Sequence, residues 1–356
     1  MDYSKLTCKD LTAQRNEYFF KPPSLFRLES LIKDPRDEPI LYLLYNIFTM
    51  TIPGALLVFA YPSHCLGCLF LATNMFLFQE RFMLGQHYYS HRGLFKSKSM
   101  DSVVLWVLSP FFGLPSGLYH THHVLMHHSE NNRRLLDSSS TELFQRDNPF
   151  HFFLYWLEFA LMVWVDVPIY AFRTRRYRLC LGLTLVVLSY FYSLKLFYAA
   201  HPTATLWVFI LPTAINSVLL MFGNWSQHIF IDPEKPRSNY GLAYNVINHP
   251  CNQRSFNDGY HVEHHLNSQR HWSELPVNFM NNLDQYAKED AIVFEGLDFF
   301  QVGTCVFLRR YETLSKHLIS FNTKRTTEEA EVFLRARLRP LSHQKAGPKT
   351  RGPKPQ

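Results

Sequence analysis

Histidine dominates the chemistry available to this chain. Eighteen histidines occur in 356 residues, and half of them fall into four short clusters. The densest is FNDGYHVEHHL, which packs His261, His264 and His265 into five residues. On a helix, side chains three and four apart share a face, so three imidazoles converge there. Neutral imidazole suits iron, zinc, copper and nickel, and such a face is one wall of a transition-metal site. Upstream stand His87 and His91 in HYYSH, and His123, His127 and His128 in YHTHHVLMHHSENN, with His120 and His122 as alternatives. Asn224 and His228 in NWSQH follow a further apolar run. Taken singly, a pair at this spacing is an ordinary surface or core feature. Together the nine imidazoles exceed the four ligands of one tetrahedral ion, and two ions with four or five each would use them all. The clusters hold no cysteine and few carboxylates, which argues against an iron–sulfur cluster or a calcium site.

These clusters need elements that bring them to one place. The composition is 47% hydrophobic and 16% aromatic, and the mean hydropathy of -0.13 averages polar ends with a very apolar middle. Residues 40–61 hold no charged side chain, long enough for a helix across a ~30 Å hydrocarbon core. Residues 64–83 form a second expected span after the break at Pro62 and Ser63, and spans at 179–200 and 205–223 complete two hairpins. Their short connections carry no Lys or Arg, whereas Arg92, Lys96, Lys98 and the run Arg173 to Arg178 lie on the histidine side. That asymmetry places the histidines and both termini in the cytosol. Residues 103–118, broken by Pro and Gly, and 150–172, holding Glu158 and Asp166, are expected to lie at the interface. An even number of crossings is required for all clusters to share a side.

The expected fold is therefore an all-α membrane protein: about four transmembrane helices plus a cytosolic helical cap that carries the histidines. Residues 1–39 read as a cytosolic leader, 40–284 as the membrane domain, and 285–356 as a cytosolic region ending in a basic tail. The net charge of +7 has no aromatic-interleaved basic patch, so nucleic acid is not expected as a partner. Cys65 and Cys68 form a lone CxxC in an apolar run and read as small core residues. The polar start MDYSKLTCKD does not look like a cleavable signal peptide.

On these motifs the chain resembles the integral-membrane fatty acid desaturase and hydroxylase family, whose pattern is HxxxH or HxxxxH, then HxxHH or HxxxHH, then HxxHH. NxxxH at Asn224 and His228 is similar to acyl-CoA desaturases. The resemblance implies a di-iron centre held by His87, His91, His123, His127, His128, His228, His261, His264 and His265, with Asn224 acting through a metal-bound water. The second cluster departs in spacing, which leaves His120 open as a substitute for His123. The resemblance further implies O₂ as co-substrate, desaturation of a lipid acyl chain, and localisation in the endoplasmic reticulum. Electrons would come from an external donor, cytochrome b5 and its reductase or another, since no dinucleotide or haem motif is present. Glu130, Asp258 and Glu263 are candidates to orient ligating imidazoles. Hydroxylation of a lipid, sterol or alkane uses the same residues and stays open, as do a zinc hydrolase and a non-catalytic lipid-binding protein.

Overall fold

Long uncharged runs become long helices in the computed structural model, which describes residues 6–11, 20–23, 27–321 and 325–341. The basic tail at 343–356 lies outside the described residues, as do parts of the N-terminal leader. Helix α1 (Glu38–Ala60) begins beside Asp37. Asp37 Oδ1 accepts from Trp272 Nε1 at 3.1 Å and sits 3.0 Å from His271 Nε2, tying the helix start to the segment after the last histidine cluster. After Tyr61 the chain reverses, and α2 (His64–Asn74) starts with Ser63 accepting from the Leu66 amide. A π-helical turn (Met75–Gln79) joins α2 to α3 (Glu80–Arg92), giving one unbroken rod. It stops at Gly93, whose φ of 69° is a backbone state glycine adopts without strain.

Helix α4 (Pro149–Arg173) opens with the Asn148 side chain accepting from the Phe150 amide and proline at the first position, two standard start signals. Tyr155, Phe159, Val163, Val167 and Ala171 recur every fourth residue and form its buried stripe. The opposite face, with Leu161, Met162, Val165 and Phe172, is exposed and equally apolar. Helix α5 (Tyr177–Ala200) buries only Leu183 against protein. Helix α6 (Leu211–Gln227) continues a helical run that begins at Pro202 and includes a π-turn at Leu206–Ile210. Apolar helices with so much uncovered surface are what a lipid solvent requires.

Four helices among the described residues are long and apolar enough to cross a membrane: Pro35–Ala60, Pro149–Arg173, Tyr177–Ala200 and Pro202–Gln227. Three coincide with expected spans. The fourth is the stretch expected to lie at the interface; Glu158 and Asp166 do not interrupt its helix. The α2–α3 rod, expected as a span from 64 to 83, is not among the four. Polar Asn74, Gln79 and Glu80 dilute its apolar character, and all three are drawn inward or to its surface rather than breaking the helix.

Contacts order the rods. At one end Phe59 packs on Phe197 and His201, and Trp207 Nε1 donates to His64 Nδ1 at 3.0 Å. Gly67 makes that approach possible, since a Cβ there would stand 2.2 Å from the Trp207 ring. At the other end α3 and α6 deliver His87, His91 and His228 to one place. Helix α4 touches that end with both halves: the Tyr155 hydroxyl donates to Ser139 O at 3.1 Å, and the Tyr170 hydroxyl to Glu130 Oε1 at 3.1 Å.

The histidine end is capped by short helices and a parallel pair of strands, Asn245–Ile247 beside Val293–Glu295. That pairing crosses residue 284, the expected boundary of the membrane domain. Ile292, Phe294, Val302, Val306, Leu314 and Leu334 share one core with Tyr155, Trp225 and Tyr244. Arg146, fully buried, fastens the C-terminal segment. It donates to the carbonyls of Thr141, Phe144, Ile229, Arg337 and Arg339. Burial pushes its guanidinium down to about 9, with Glu142 and Asp147 opposing, so it stays charged at neutral pH. Cys65 and Cys68, expected in the core, are exposed free thiols on the outer face of α2. The CxxC spacing puts both on one face of the helix, which is exposed among the described residues.

Candidate metal centre

Each histidine cluster ends up on a helix terminus or turn that faces the same small volume. His87 and His91 occupy the last turns of α3, one turn apart and on one face. His261, His264 and His265 lie on the short helix α7 (His261–Leu266), all buried. His228 follows the last residue of α6, and its Nδ1 lies 2.9 Å from Leu242 O. A carbonyl at that nitrogen requires the proton on Nδ1, which leaves the Nε2 lone pair free for a metal.

The middle cluster is built differently from the sequence expectation of a plain helix. Thr121–His127 forms a π-helical turn. Bonds from i to i+5 take up about one more residue per turn than the α-helix. HxxxHH therefore does on a π-turn what HxxHH does on an α-helix, with the three imidazoles flanking one direction. The extra residue that distinguished this cluster is absorbed by the backbone.

The nine imidazoles sort into two adjoining groups. His87, His91, His123, His128 and His264 present ring nitrogens that all lie within 4.8 Å of one another, and His127, His228 and His265 do the same. His261 joins the second group through contacts of 3.3 Å to His228 Nε2 and 3.2 Å to His265 Nε2. Ligands about 2.1 Å from one ion stand about 3 Å apart when adjacent and about 4.2 Å when opposite. In the first group His264 Nε2 is 2.6 Å from His87 Nε2 and 2.9 Å from His128 Nε2, which is 3.1 Å from His123 Nε2. A neutral imidazole nitrogen either donates or accepts, so hydrogen bonding alone cannot satisfy such a crowd. A cation at its centre satisfies every member. The donor set and spacing thus fit metal ions with nitrogen preference.

The electrostatics agree. Burial first, and neighbouring imidazoles second, push His91, His123, His128, His261, His264 and His265 well below the usual histidine range. His228 is pushed down to about 3 by burial, with His127 adding to the effect. All seven are neutral at pH 7, with lone pairs available to a metal.

Around the ligand groups sits a layer that aims them. Asp137 Oδ2 is 2.7 Å from His127 Nδ1, and Asp137 Oδ1 accepts from the Ser139 amide at 2.9 Å and hydroxyl at 2.7 Å. Burial alone would raise the Asp137 carboxyl, but the imidazoles of His127 and His122 outweigh it and hold it well below the carboxylate range. Asp258 lies 3.3 Å from His87 Nδ1 and accepts from Gln227 Nε2 at 2.8 Å. Carboxylates in this position fix the tautomer and raise ligand basicity.

The remaining sequence candidates take other places. Asn224 belongs to neither group: its Nδ2 donates to Ser139 O at 3.1 Å and to the Tyr155 hydroxyl at 2.6 Å. Its side chain reaches the second group through Ser139, whose hydroxyl is 3.2 Å from His127 Nδ1, and its carbonyl accepts from the His228 amide at 3.1 Å. His120 is outside both groups and His123 inside one. His122 turns its Nε2 toward Asp137 at 3.7 Å. Glu263 points away from the imidazoles, binding Tyr286 and Asn278 and lying 3.4 Å from Arg270. Glu130 accepts from Tyr170. Asp137 was not anticipated from the sequence. It stands ten residues beyond His127 in DSSST, outside any cluster spacing, and its one signal is a lone acid among short polar side chains.

An apolar cavity of about 310 Å³ begins beside this layer. Its lining includes Tyr119 and His122 from the middle histidine segment, Phe159, Trp164 and Tyr190, and Asn216. Tyr119 stacks on His123 with ring centroids 5.3 Å apart, linking cavity and first group.

Comparison with known proteins agrees with this architecture. No curated protein and no solved structure matches the chain. The family profile described as fatty acid desaturase matches residues 39–296, from the start of α1 through the second strand, and includes every histidine of both groups. By that match the chain belongs to the fatty acid desaturase family.

Proposed function

We propose that this protein is a membrane-bound, O₂-dependent oxidoreductase that introduces a double bond into a lipid acyl chain. The observation that carries the reading is the sorting of nine imidazoles into two adjoining buried groups at the head of an apolar cavity. His87, His91, His123, His128 and His264 would hold one iron, and His127, His228, His261 and His265 the other. A bound iron pair supplies the O₂-dependent abstraction of hydrogen from unactivated CH₂ groups. The protein's own part is positioning. Asp137, Asp258 and the Leu242 carbonyl aim His127, His87 and His228, and Asn224 with Ser139 and Tyr155 holds the polar floor beneath the second group. The cavity strips water from an acyl chain and sets its path toward Tyr119 and the first group.

In the membrane, α1, the α2–α3 rod, α5 and the Pro202–Gln227 helix serve as the four crossings. Their shared far-end contacts and their common histidine end support this placement. Helix α4, which meets segment 130–139 with both halves, lies along the histidine side at the cytosolic surface of the membrane, its exposed apolar face toward lipid. The endoplasmic reticulum, and electrons from cytochrome b5 and its reductase, complete the assignment on family grounds.

The test is expression in a host lacking the activity, followed by acyl-chain profiling with and without iron. New double bonds that need iron and O₂, and that vanish in His264→Ala, are expected. Hydroxylated chains in their place would make the protein a hydroxylase. Purified protein with a single zinc and O₂-independent turnover would overturn the reading.

A further inference from the structure

Two residues lining the cavity, His122 and Asn216, carry a buried polar atom with no hydrogen-bond partner among the described residues, and Asn216 is the one whose orientation is fixed. Asn216 is 1% exposed and sits in the middle of the Pro202–Gln227 helix. Its orientation is determined by a chain of hydrogen bonds. The Phe112 carbonyl can only accept, so the Gln79 amide must present its NH₂ there, at 3.0 Å. The same NH₂ donates to Asn216 Oδ1 at 2.7 Å. Asn216 is thereby locked with its oxygen toward Gln79, and its own NH₂, like Gln79 Oε1, has no hydrogen-bond partner among the described residues. Rotating the Asn216 amide to pair its NH₂ would set two donors against each other at Gln79.

Tyr190, Thr213 and Ser217, also in the wall, are paired. The Tyr190 hydroxyl pairs with Thr213 Oγ1 at 3.2 Å, and Ser217 Oγ accepts from Trp156 Nε1 at 3.0 Å while donating to Ala214 O at 2.8 Å. His122 Nε2 makes no hydrogen bond, but it stands 3.7 Å from the Asp137 carboxylate, which already offers it an acceptor charge. In a wall that is otherwise apolar, an unpaired buried amide is costly, and within a bilayer water is scarce. A donor held in this way is complementary to an acceptor brought by the ligand.

We propose that Asn216 is a specificity-determining residue, and that the preferred lipid carries an oxygen acceptor, a hydroxyl or carbonyl, part-way along the chain where it passes Asn216 Nδ2. This deepens the acyl-lipid reading above and rests on it. Chains bearing the oxygen at other positions leave the donor unpaired and bind no better than plain chains.

The test is displacement of a fluorescent fatty acid from the purified full-length protein. The competitors are a positional series of hydroxy and oxo chains and the unsubstituted chain of equal length, each as the CoA thioester and as the phospholipid. One position in the series should bind about ten-fold more tightly than the plain chain. Asn216→Leu should bring that ratio near one while the plain chain still binds. The ratio is taken within one preparation, so any loss of folded protein cancels. Equal binding of the plain chain and every member of the series by the wild type overturns the proposal, as does an unchanged ratio in Asn216→Leu. Binding is read without turnover. A protein that oxidises no chain yet shows the ratio therefore sinks the enzymatic reading and leaves this one standing.

Discussion

Replacing Asp137 with asparagine tests the centre through a residue that touches no metal position. The carboxylate lies 2.7 Å from His127 Nδ1 and is completely buried. Its other oxygen already takes two donors from Ser139. In Asp137→Asn, one of the two sides must become an NH₂ that meets a donor, and the negative charge behind His127 is gone. A hydrogen bond to a charged group contributes about 1.5–3 kcal/mol, which at about 1.4 kcal/mol per decade corresponds to roughly 10- to 100-fold in affinity at the second group. The loss should be confined there, because Asp258 and not Asp137 stands behind His87. Metal analysis of purified protein should fall from two ions toward one per chain, and titration with Co²⁺ should separate a tight site from a weakened one. Two ions retained at wild-type affinity would refute the claim that Asp137 orients His127. Loss of both in equal measure would refute the assignment of separate supports.

Deleting Leu125 converts the middle cluster to HxxHH but removes the residue that the π-turn accommodates, so both metals should be lost; retention of either, by metal analysis, would show that the turn is not needed. Metal-free protein should lose stability on acidification. The buried imidazoles refuse protons that the unfolded chain accepts, and His228 illustrates the gap, with about 3 in the fold against 6.5 unfolded. The contribution is complete above pH 6.5 and declines as pH falls toward the folded value. Thermal midpoints of chelator-treated protein should therefore drop between pH 7.5 and 5, and a flat profile would contradict the burial argument. Arg146→Leu strands five carbonyls around a cavity the leucine cannot fill and should destabilise the protein by about 3–5 kcal/mol, read by thermal unfolding in detergent.

How far the sequence alone reaches depends on whether a feature is local. Apolar stretches such as the charge-free 40–61 and 179–200, whose one charge is Lys195, announce helices because lipid accepts little else, and histidine spacing announces a shared face. Helix α4 was harder to place: Glu158 and Asp166 sit in an otherwise apolar run, and the contacts that orient it, Tyr155 to Ser139 and Tyr170 to Glu130, join side chains distant in sequence. The π-turn left its trace as one extra residue, legible only once the backbone is seen. Asp137 and Arg146 had no trace of that kind, because their roles depend on which carbonyls and imidazoles the fold brings beside them. The same holds for Cys65 and Cys68, since apolar neighbours in sequence do not say whether protein or lipid covers a helix face.

The way the clusters are dealt between the groups has a consequence for assembly. Thr121–His127 and its following residue send His123 and His128 to one group and His127 to the other, and α7 splits His264 from His261 and His265. Each of these short segments is a strut shared by both ions. Seating the first ion immobilises the very backbone that presents ligands to the second, so the second meets a ready-made pocket. Each ion should therefore raise the affinity of the other group without being required for it, so a chain weakened at one group still keeps its ion at the other.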